Sequence, residues 1–232
     1  MQNMAKYFKG FSRTEKLLWL FSELAIIVSF FIFDRENYLN LIATFLGVTA
    51  LIYCAKGNPI GQMLMIIFGT VYAIISFGFG YYGEMITYAG MTVPMSIFSL
   101  ISWLKNPYKE SRAEVKVNKL SRKEFIFMLL LTALVTVIFY FILKVFGTAN
   151  LLVSTVSVTT SFAAVYLTFR RSPFFALAYA LNDLVLIVLW IFASFTDISY
   201  ISVVICFSVF LMNDLYGFAS WRKMEKRQSI NE

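Results

Sequence analysis

The chain reads FIFMLLLTALVTVIFYFIL at residues 125–143, a stretch without a charged side chain. An α-helix of about 20 apolar residues is long enough to cross the hydrocarbon core of a bilayer. Similar runs recur along all 232 residues, of which 59% are hydrophobic and only 14% are charged. Soluble domains carry about 25% charged residues. We therefore predict an all-α, multi-pass integral membrane protein without a large soluble domain.

Eight transmembrane helices account for the apolar runs and for the turn signals between them. Pro59 and Pro173 each follow a short polar segment, and proline is favoured in the first turn of a helix. The predicted spans are residues 17–33, 38–55, 60–81, 84–104, 124–146, 149–169, 173–195 and 198–220.

The distribution of the basic residues along the chain tests the prediction of eight spans. Eight spans place 18 of the 20 lysines and arginines in the tails and loops of one side, and leave only Arg35 and Lys144 on the other. Cytoplasmic loops carry an excess of basic residues. We expect a cell membrane protein with both termini in the cytoplasm. Contact with membrane lipid then explains the net charge of +7 without a nucleic acid partner.

The remaining composition argues against catalysis. The chain has no histidine, and its two cysteines, Cys54 and Cys206, lie in apolar segments, where buried free thiols are expected. It contains no metal-ligand cluster, no nucleotide-binding glycine loop and no nucleophile beside a base. We predict no enzyme activity, no cofactor and no metal. The first apolar run lacks a small-residue cleavage site and is expected to remain as a helix.

Two parts of the chain resemble each other. Residues 56–59 precede two spans that end at Trp103, and residues 170–173 precede two spans that end at Trp221. The prolines are 114 residues apart and the tryptophans 118. This spacing predicts two parallel three-helix repeats joined by a linker helix, in the order 1+3+1+3. Parallel repeats are a known transporter plan, with substrate held between them.

The chain then divides into five parts. They are an N-terminal tail with an extra transmembrane helix (1–37), a first repeat (38–104), a cytoplasmic loop with the connecting helix (105–147), a second repeat (148–221) and a cytoplasmic tail (222–232).

Polar side chains at membrane depth usually face the bundle interior or a wet cavity. Amides and carboxylates can bind hydroxyls, and aromatic rings stack on flat rings, most strongly on cationic ones. These groups predict a site for a small, flat, cationic ligand that bears hydroxyls. The predicted binding residues are Thr44, Gln62, Tyr72, Tyr88, Tyr179, Asn182, Asp183, Trp190, Asn213 and Asp214.

Other residues receive different interpretations. Trp103 and Trp221, beside basic residues at span ends, are expected to be membrane-interface anchors. Glu84 is expected at the outer interface, and Glu23 beside a local structural partner. Pro94 interrupts the helical hydrogen bonds of the fourth span, so we predict a kink that serves as a gate.

Several membrane segments also carry recognisable patterns. They are NPIGQ at 58–62, YYGEMITY at 81–88, MTVPM at 91–95, WLKNP at 103–107, AYALNDL at 178–184, LW at 189–190, NDLYG at 213–217 and SW at 220–221. Together these patterns, which extend over spans 2 to 8, resemble the bacterial PnuC transporter family.

The resemblance implies import of nicotinamide riboside, a vitamin form used to make NAD. It implies a uniporter that works by facilitated diffusion and alternating access, with two three-helix bundles joined by a helix as in the SWEET sugar transporters. Thiamine and riboflavin, which similar proteins carry, stay open as substrates. Proton-coupled transport and a vitamin-binding subunit of a larger transporter also stay open. A homo-oligomer such as a trimer is expected only by analogy.

Overall fold

Each apolar run of the sequence forms a helix. The computed structural model describes residues 10–78, 82–109, 111–148 and 150–231. Within these residues, eight helical stretches are long and apolar enough to cross a membrane. The predicted all-α fold and its eight spans are therefore confirmed. The two cysteines are free thiols, as predicted, with Cys54 buried and Cys206 partly exposed.

The helices agree with the predicted spans to within a few residues, except at the C-terminus, where the last helix continues to Ile230. Predicted positions 1–9, 79–81, 110, 149 and 232 lie outside the described residues. The elements are α1 (Arg13–Phe33), α2 (Tyr38–Ala55), α3 (Ile60–Gly78), α4 (Tyr82–Thr87), a π turn (Tyr88–Thr92), α5 (Val93–Lys105), strands β1 (Pro107–Tyr108) and β2 (Ser111–Val115), α6 (Arg122–Val145), α7 (Leu151–Phe169), α8 (Phe174–Ser194), a 3-10 turn (Ile198–Tyr200) and α9 (Ile201–Ile230).

The fourth span is irregular next to Pro94. Five residues before Val93–Pro94 form a π turn, in which the Val93 N–H donates to the Tyr88 carbonyl. Proline has no N–H and its ring crowds the preceding turn, so a regular α-helix cannot continue through it undisturbed. A π turn absorbs this defect. The local irregularity is present, while the role of Pro94 as a gate stays a prediction.

The loops before Pro59 and Pro173 have the same backbone geometry. Gly57 (φ 64°) and Arg171 (φ 57°) are 114 residues apart, and both adopt the left-handed conformation after a helix end. Glycine takes this conformation freely, whereas arginine is strained in it. Burial, followed by the neighbouring charge of Arg170, also lowers the pKa of Arg171. The sequence similarity between the two segments therefore extends to their conformation.

The two predicted anchor tryptophans lie in the core instead. Trp103 and Trp221 are each 0% exposed, and their ring centroids are 5.4 Å apart. The Trp103 Nε1–H donates to the Thr168 carbonyl (2.9 Å), and the Trp221 Nε1–H donates to the Cys54 carbonyl (2.8 Å). The anchor prediction is wrong, because sequence cannot distinguish an interfacial indole from one that bonds a neighbouring helix end.

These hydrogen bonds are reciprocal. Trp103 lies in α5 and bonds the end of α7, while Trp221 lies in α9 and bonds the end of α2, and the two acceptors are again 114 residues apart. The loop before α6 joins the same two regions. The Val115 N–H donates to the Gly57 carbonyl (2.9 Å), and the Asn118 N–H donates to the Arg171 carbonyl (3.0 Å).

The loops at 56–59, 106–109, 111–121 and 170–173 thus meet at one end of the bundle, called the basic end below. The loops at 34–37, 146–148 and 195–200 lie at the opposite end. The helix α1 packs on α2 and α9, and α6 packs on α7. This packing is compatible with the 1+3+1+3 division, which stays a prediction together with the five-part division of the chain.

Candidate functional site

A cavity of about 550 Å3 lies between the helices of the two predicted repeats. It extends from the helix ends at 82–83, 146–148 and 192–196, at the end opposite the basic loops, to Asp183 and Asp214 in the middle of the bundle. Cavities of about 300–1,000 Å3 hold small organic ligands. The volume therefore suits one vitamin-sized molecule.

Aromatic rings form one wall of the cavity. The ring centroids of Tyr72 and Tyr88 are 4.6 Å apart, and Phe68 lies 5.5 Å from Tyr72. Gly47 makes room for this group, because a Cβ there would lie 2.8 Å from Cζ of Phe210. The wall can stack on a flat ring, and an aromatic face attracts a cation.

An oriented amide stands on the other wall. Oδ1 of Asn182 accepts hydrogen bonds from Oγ1 of Thr160 (2.8 Å) and Oγ of Ser157 (3.2 Å). These two donors hold the amide in one orientation. The Nδ2 group, which carries two N–H donors, is then available to a ligand oxygen in the cavity.

Acidic groups supply the charge of the cavity. Glu84, Asp183 and Asp214 line it, and its described lining residues include no lysine or arginine. Asp183 and Asp214 lie side by side. Oδ2 of Asp183 and Nε1 of Trp190 are buried and have no hydrogen-bond partner among the described residues. Buried polar atoms normally have partners, so these two atoms indicate a ligand or water position.

Seven of the ten predicted binding residues line this cavity. They are Tyr72, Tyr88, Tyr179, Asn182, Asp183, Trp190 and Asp214.

Asn213 does not line the cavity. Its Nδ2 donates to Oγ of Ser22 in α1 (2.9 Å) and to the Val209 carbonyl (2.8 Å). Next to Asp214 in the sequence, it faces another side of α9, because successive residues of a helix point about 100° apart. The prediction of a ligand contact is corrected to a contact between α1 and α9.

Gln62 and Thr44 also lie outside the cavity. Nε2 of Gln62 donates to Sγ of Cys54 (3.3 Å), and Oγ1 of Thr44 donates to the Asn40 carbonyl (2.8 Å). Both side chains serve local packing, and their predicted ligand contacts are corrected accordingly.

One of the two predictions about glutamates also changes. Glu84 lines the cavity rather than the outer interface; its spacing of four residues from Tyr88, on one helical face, was the available signal. Glu23 is 7% exposed, and neither carboxyl oxygen has a hydrogen bond of good geometry within the described residues. Thr49 and Trp19 lie against this carboxyl group and are the local structural partners expected for Glu23.

Serines at helical spacing complete the lining. Ser154, Ser157 and Ser161 of α7 face the cavity. They were not among the predicted site residues, although the spacing of three and four residues puts them on one helix face. Their hydroxyl groups add hydrogen-bonding capacity opposite the aromatic wall.

Comparison with known proteins relates this arrangement to a family. A sequence model described as nicotinamide mononucleotide transporter matches residues 37–223. The nicotinamide riboside transporter PnuC of Neisseria mucosa is 26% identical over 227 residues, which are 96% of this chain and 86% of that protein. The protein of the same name from Haemophilus influenzae is 23% identical over 91% of each chain.

A crystal structure of the vitamin B3 transporter PnuC has the same fold. It superposes with a TM-score of 0.80 over 96% of both chains, at 23% sequence identity. The family match covers most of the chain, including every helix that lines the cavity. This chain therefore belongs to the PnuC family of membrane transporters.

Proposed function

We propose that the chain imports nicotinamide riboside across the cell membrane and that the 550 Å3 cavity holds it. The observation that carries the proposal is a cavity with three carboxyl groups, an oriented amide and an aromatic wall, and with no lysine or arginine among the described lining residues. Two relatives named as nicotinamide riboside transporters support the choice of substrate.

The substrate's groups match those of the cavity. Its cationic pyridine ring would stack against Tyr72 and Tyr88, where aromatic faces attract positive charge. Asn182 would donate to the carboxamide or to a ribose hydroxyl. Asp183 would accept from ribose hydroxyls and balance the ring charge. Its unpartnered Oδ2 would gain a hydrogen bond when the ligand binds.

The riboside fits better than the mononucleotide. The mononucleotide adds a phosphate, and a phosphate near Glu84, Asp183 and Asp214 would be repelled, with no basic side chain among the described lining residues to offset it. Thiamine shares the cationic ring and stays an alternative. Riboflavin has a larger neutral ring system and matches the acidic lining less well.

The closure of the cavity at one end supports alternating access. The cavity reaches the end opposite the basic loops, whereas Trp103, Trp221 and Phe175 pack together near the basic end, with centroids 5.0–6.4 Å apart. The positive-inside rule assigns the basic end to the cytoplasm. The structure then represents an outward-facing state. Inward opening requires the two tryptophan hydrogen bonds to break, with the π turn beside Pro94 as a hinge.

Facilitated diffusion, which needs no coupling to an energy source, is the simplest transport mechanism, since no ATP-binding motif is present in the sequence. Proton coupling is the second candidate because Asp183 and Asp214 lie side by side in the cavity. A role as a vitamin-binding subunit and a trimeric assembly both remain predictions. We expect no chemical turnover of the substrate.

Proteoliposomes that contain this chain alone test the proposal. We expect uptake of nicotinamide riboside, little uptake of the mononucleotide, and no dependence on an imposed pH gradient. Asp183→Asn should weaken riboside affinity by about tenfold to a hundredfold, because it removes a charged hydrogen-bond acceptor. Glu36→Gln, an exposed acid outside the cavity, should have no effect. Uptake of thiamine without riboside would refute the substrate, and uptake that requires a pH gradient would establish proton coupling.

A further inference from the structure

A second, smaller cavity of about 160 Å3 lies beside the main one, at the end opposite the basic loops. Its lining includes Asp34 and Asn37 from the loop before α2, and Asp197 and Ser199 from the turn before α9. Tyr72, Glu84, Trp190 and Tyr200 line both cavities. These shared side chains form the wall between the two spaces.

Two buried polar atoms in the lining of the small cavity lack a hydrogen bond of good geometry. Ser76 and Trp190 line the small cavity and are only 1% and 9% exposed. The Ser76 hydroxyl faces the Glu84 carboxyl but makes no hydrogen bond of good geometry, and Nε1 of Trp190 has no partner within the described residues. Buried polar atoms without partners indicate a position for a polar ligand.

The charge of the small cavity is negative. Asp34, Glu84 and Asp197 line it, and its described lining residues include no lysine or arginine. The adjacent Arg35 is exposed and donates to the Phe31 carbonyl in the last turn of α1. Asp34 accepts from Nδ2 of Asn37 (3.1 Å), and Asp197 accepts from the Ser199 N–H (2.9 Å). Neither carboxylate has a basic partner among the described residues.

The volume of the small cavity limits the size of the ligand that it can hold. A volume of about 160 Å3 is too small for a whole nucleoside, but a protein cavity of about 150 Å3 can hold one six-membered ring. Trp190 and Tyr200, with centroids 5.2 Å apart, offer aromatic surface to such a ring. Negative charge and aromatic walls together favour a cationic ring.

We propose that the small cavity is an acidic subsite that binds the cationic heteroaromatic ring of the incoming substrate before the whole molecule enters the main cavity. The proposal rests on the proposed transport function. The ring binds among Asp34, Asp197 and Trp190 while the ribose remains in solvent. Rotation of the shared aromatic side chains then transfers the ring to the main cavity.

The test removes the charge of the subsite and keeps its hydrogen bonds. In the double variant Asp34→Asn/Asp197→Asn, each asparagine Oδ1 can still accept the hydrogen bond that its aspartate accepts. We expect the KM for riboside uptake into proteoliposomes to rise about three- to tenfold, from the loss of two nearby charges, with kcat unchanged. Equilibrium riboside affinity of the detergent-solubilised chain, which reports the main cavity, should stay unchanged.

The control is Glu36→Gln, which removes one carboxylate charge outside the cavity from the loop that carries Asp34. If both variants raise KM equally, surface charge attracts the substrate without a subsite, and the proposal is wrong. A loss of equilibrium affinity in the double variant would also overturn it.

A second measurement separates this proposal from the transport function. The N-methylnicotinamide cation contains the ring without the ribose, and its binding to the solubilised chain can be followed by ligand-observed NMR. We expect the double variant to weaken this binding at least threefold, whereas Glu36→Gln does not. Binding that the double variant leaves unchanged would assign the ring to the main cavity and overturn the subsite. Failure of riboside uptake by the unchanged protein would refute the transport proposal instead.

Discussion

The hydrogen bond from Trp221 to the Cys54 carbonyl should hold the basic end closed. Trp221→Phe removes the Nε1–H donor, which lies 2.8 Å from its acceptor, and keeps an aromatic ring against Trp103 and Phe175. The Cys54 carbonyl still accepts from the Gly57 N–H (2.9 Å) and is not left without a partner. The loss should therefore be that of one hydrogen bond, about 1–1.5 kcal/mol.

The loss of this energy should measurably change the relative populations of the states that are closed and open at the basic end. Because the bond joins α9 to α2 across the two predicted repeats, its loss should favour opening at the basic end by about five- to tenfold. Cys54 is 4% exposed beside this bond and serves as a native reporter. In a Cys206→Ala background, the rate at which a maleimide added from the basic side labels Cys54 should rise by the same factor.

A matched control is available in the same chain. The Trp19 Nε1–H donates to Oγ1 of Thr49 (3.0 Å), an indole hydrogen bond between α1 and α2 that does not join the two repeats. Trp19→Phe should lower the Tm about as much as Trp221→Phe does, because each variant loses one indole hydrogen bond. It should leave the labelling rate of Cys54 unchanged. If both variants raise the labelling rate equally, general destabilisation explains the effect and the reasoning about the basic end is refuted.

Three further predictions concern the packing that supports the cavity. Arg171→Gly should stabilise the protein by about 1 kcal/mol, because glycine adopts φ 57° without strain; an unchanged or lower Tm would contradict this. Gly61→Ala should destabilise it by about 1–3 kcal/mol, since the new Cβ would lie 2.6 Å from the backbone nitrogen of Cys54. Gly217→Ala is its control, with a nearest contact of 3.5 Å, and equal Tm values would refute the argument. Asn213→Ala should lower the Tm without raising the KM for riboside, and a selective rise in KM would return Asn213 to the binding site.

The sequence predicted the surroundings of the cavity better than its individual contacts. Tyr179 and Asp183 were recognised because polar groups at membrane depth must face the interior, and both line the cavity. The same rule selected Asn213 and Gln62, whose amide N–H groups donate to neighbouring side chains within the helix packing instead. Burial requires a partner for a polar group, but it does not specify whether that partner is a ligand or another helix.

The tryptophans illustrate the same limit. Their spacing predicted an internal repeat, and the structure adds a reciprocal pair of hydrogen bonds to acceptors 114 residues apart. Their neighbouring basic residues predicted membrane anchors, whereas both rings are fully buried. An indole beside a lysine can occupy either position, and only the approach of another helix end decides between them.

Sequence alone determined the all-α membrane fold and the number of spans, because apolar length and backbone hydrogen bonding leave the chain no alternative within a bilayer. The uneven distribution of its basic residues also predicts which side faces the cytoplasm. Tertiary structure decided which polar residues meet in the cavity and which end is closed. These features depend on how helices rotate and approach each other, and such contacts join residues more than 60 positions apart.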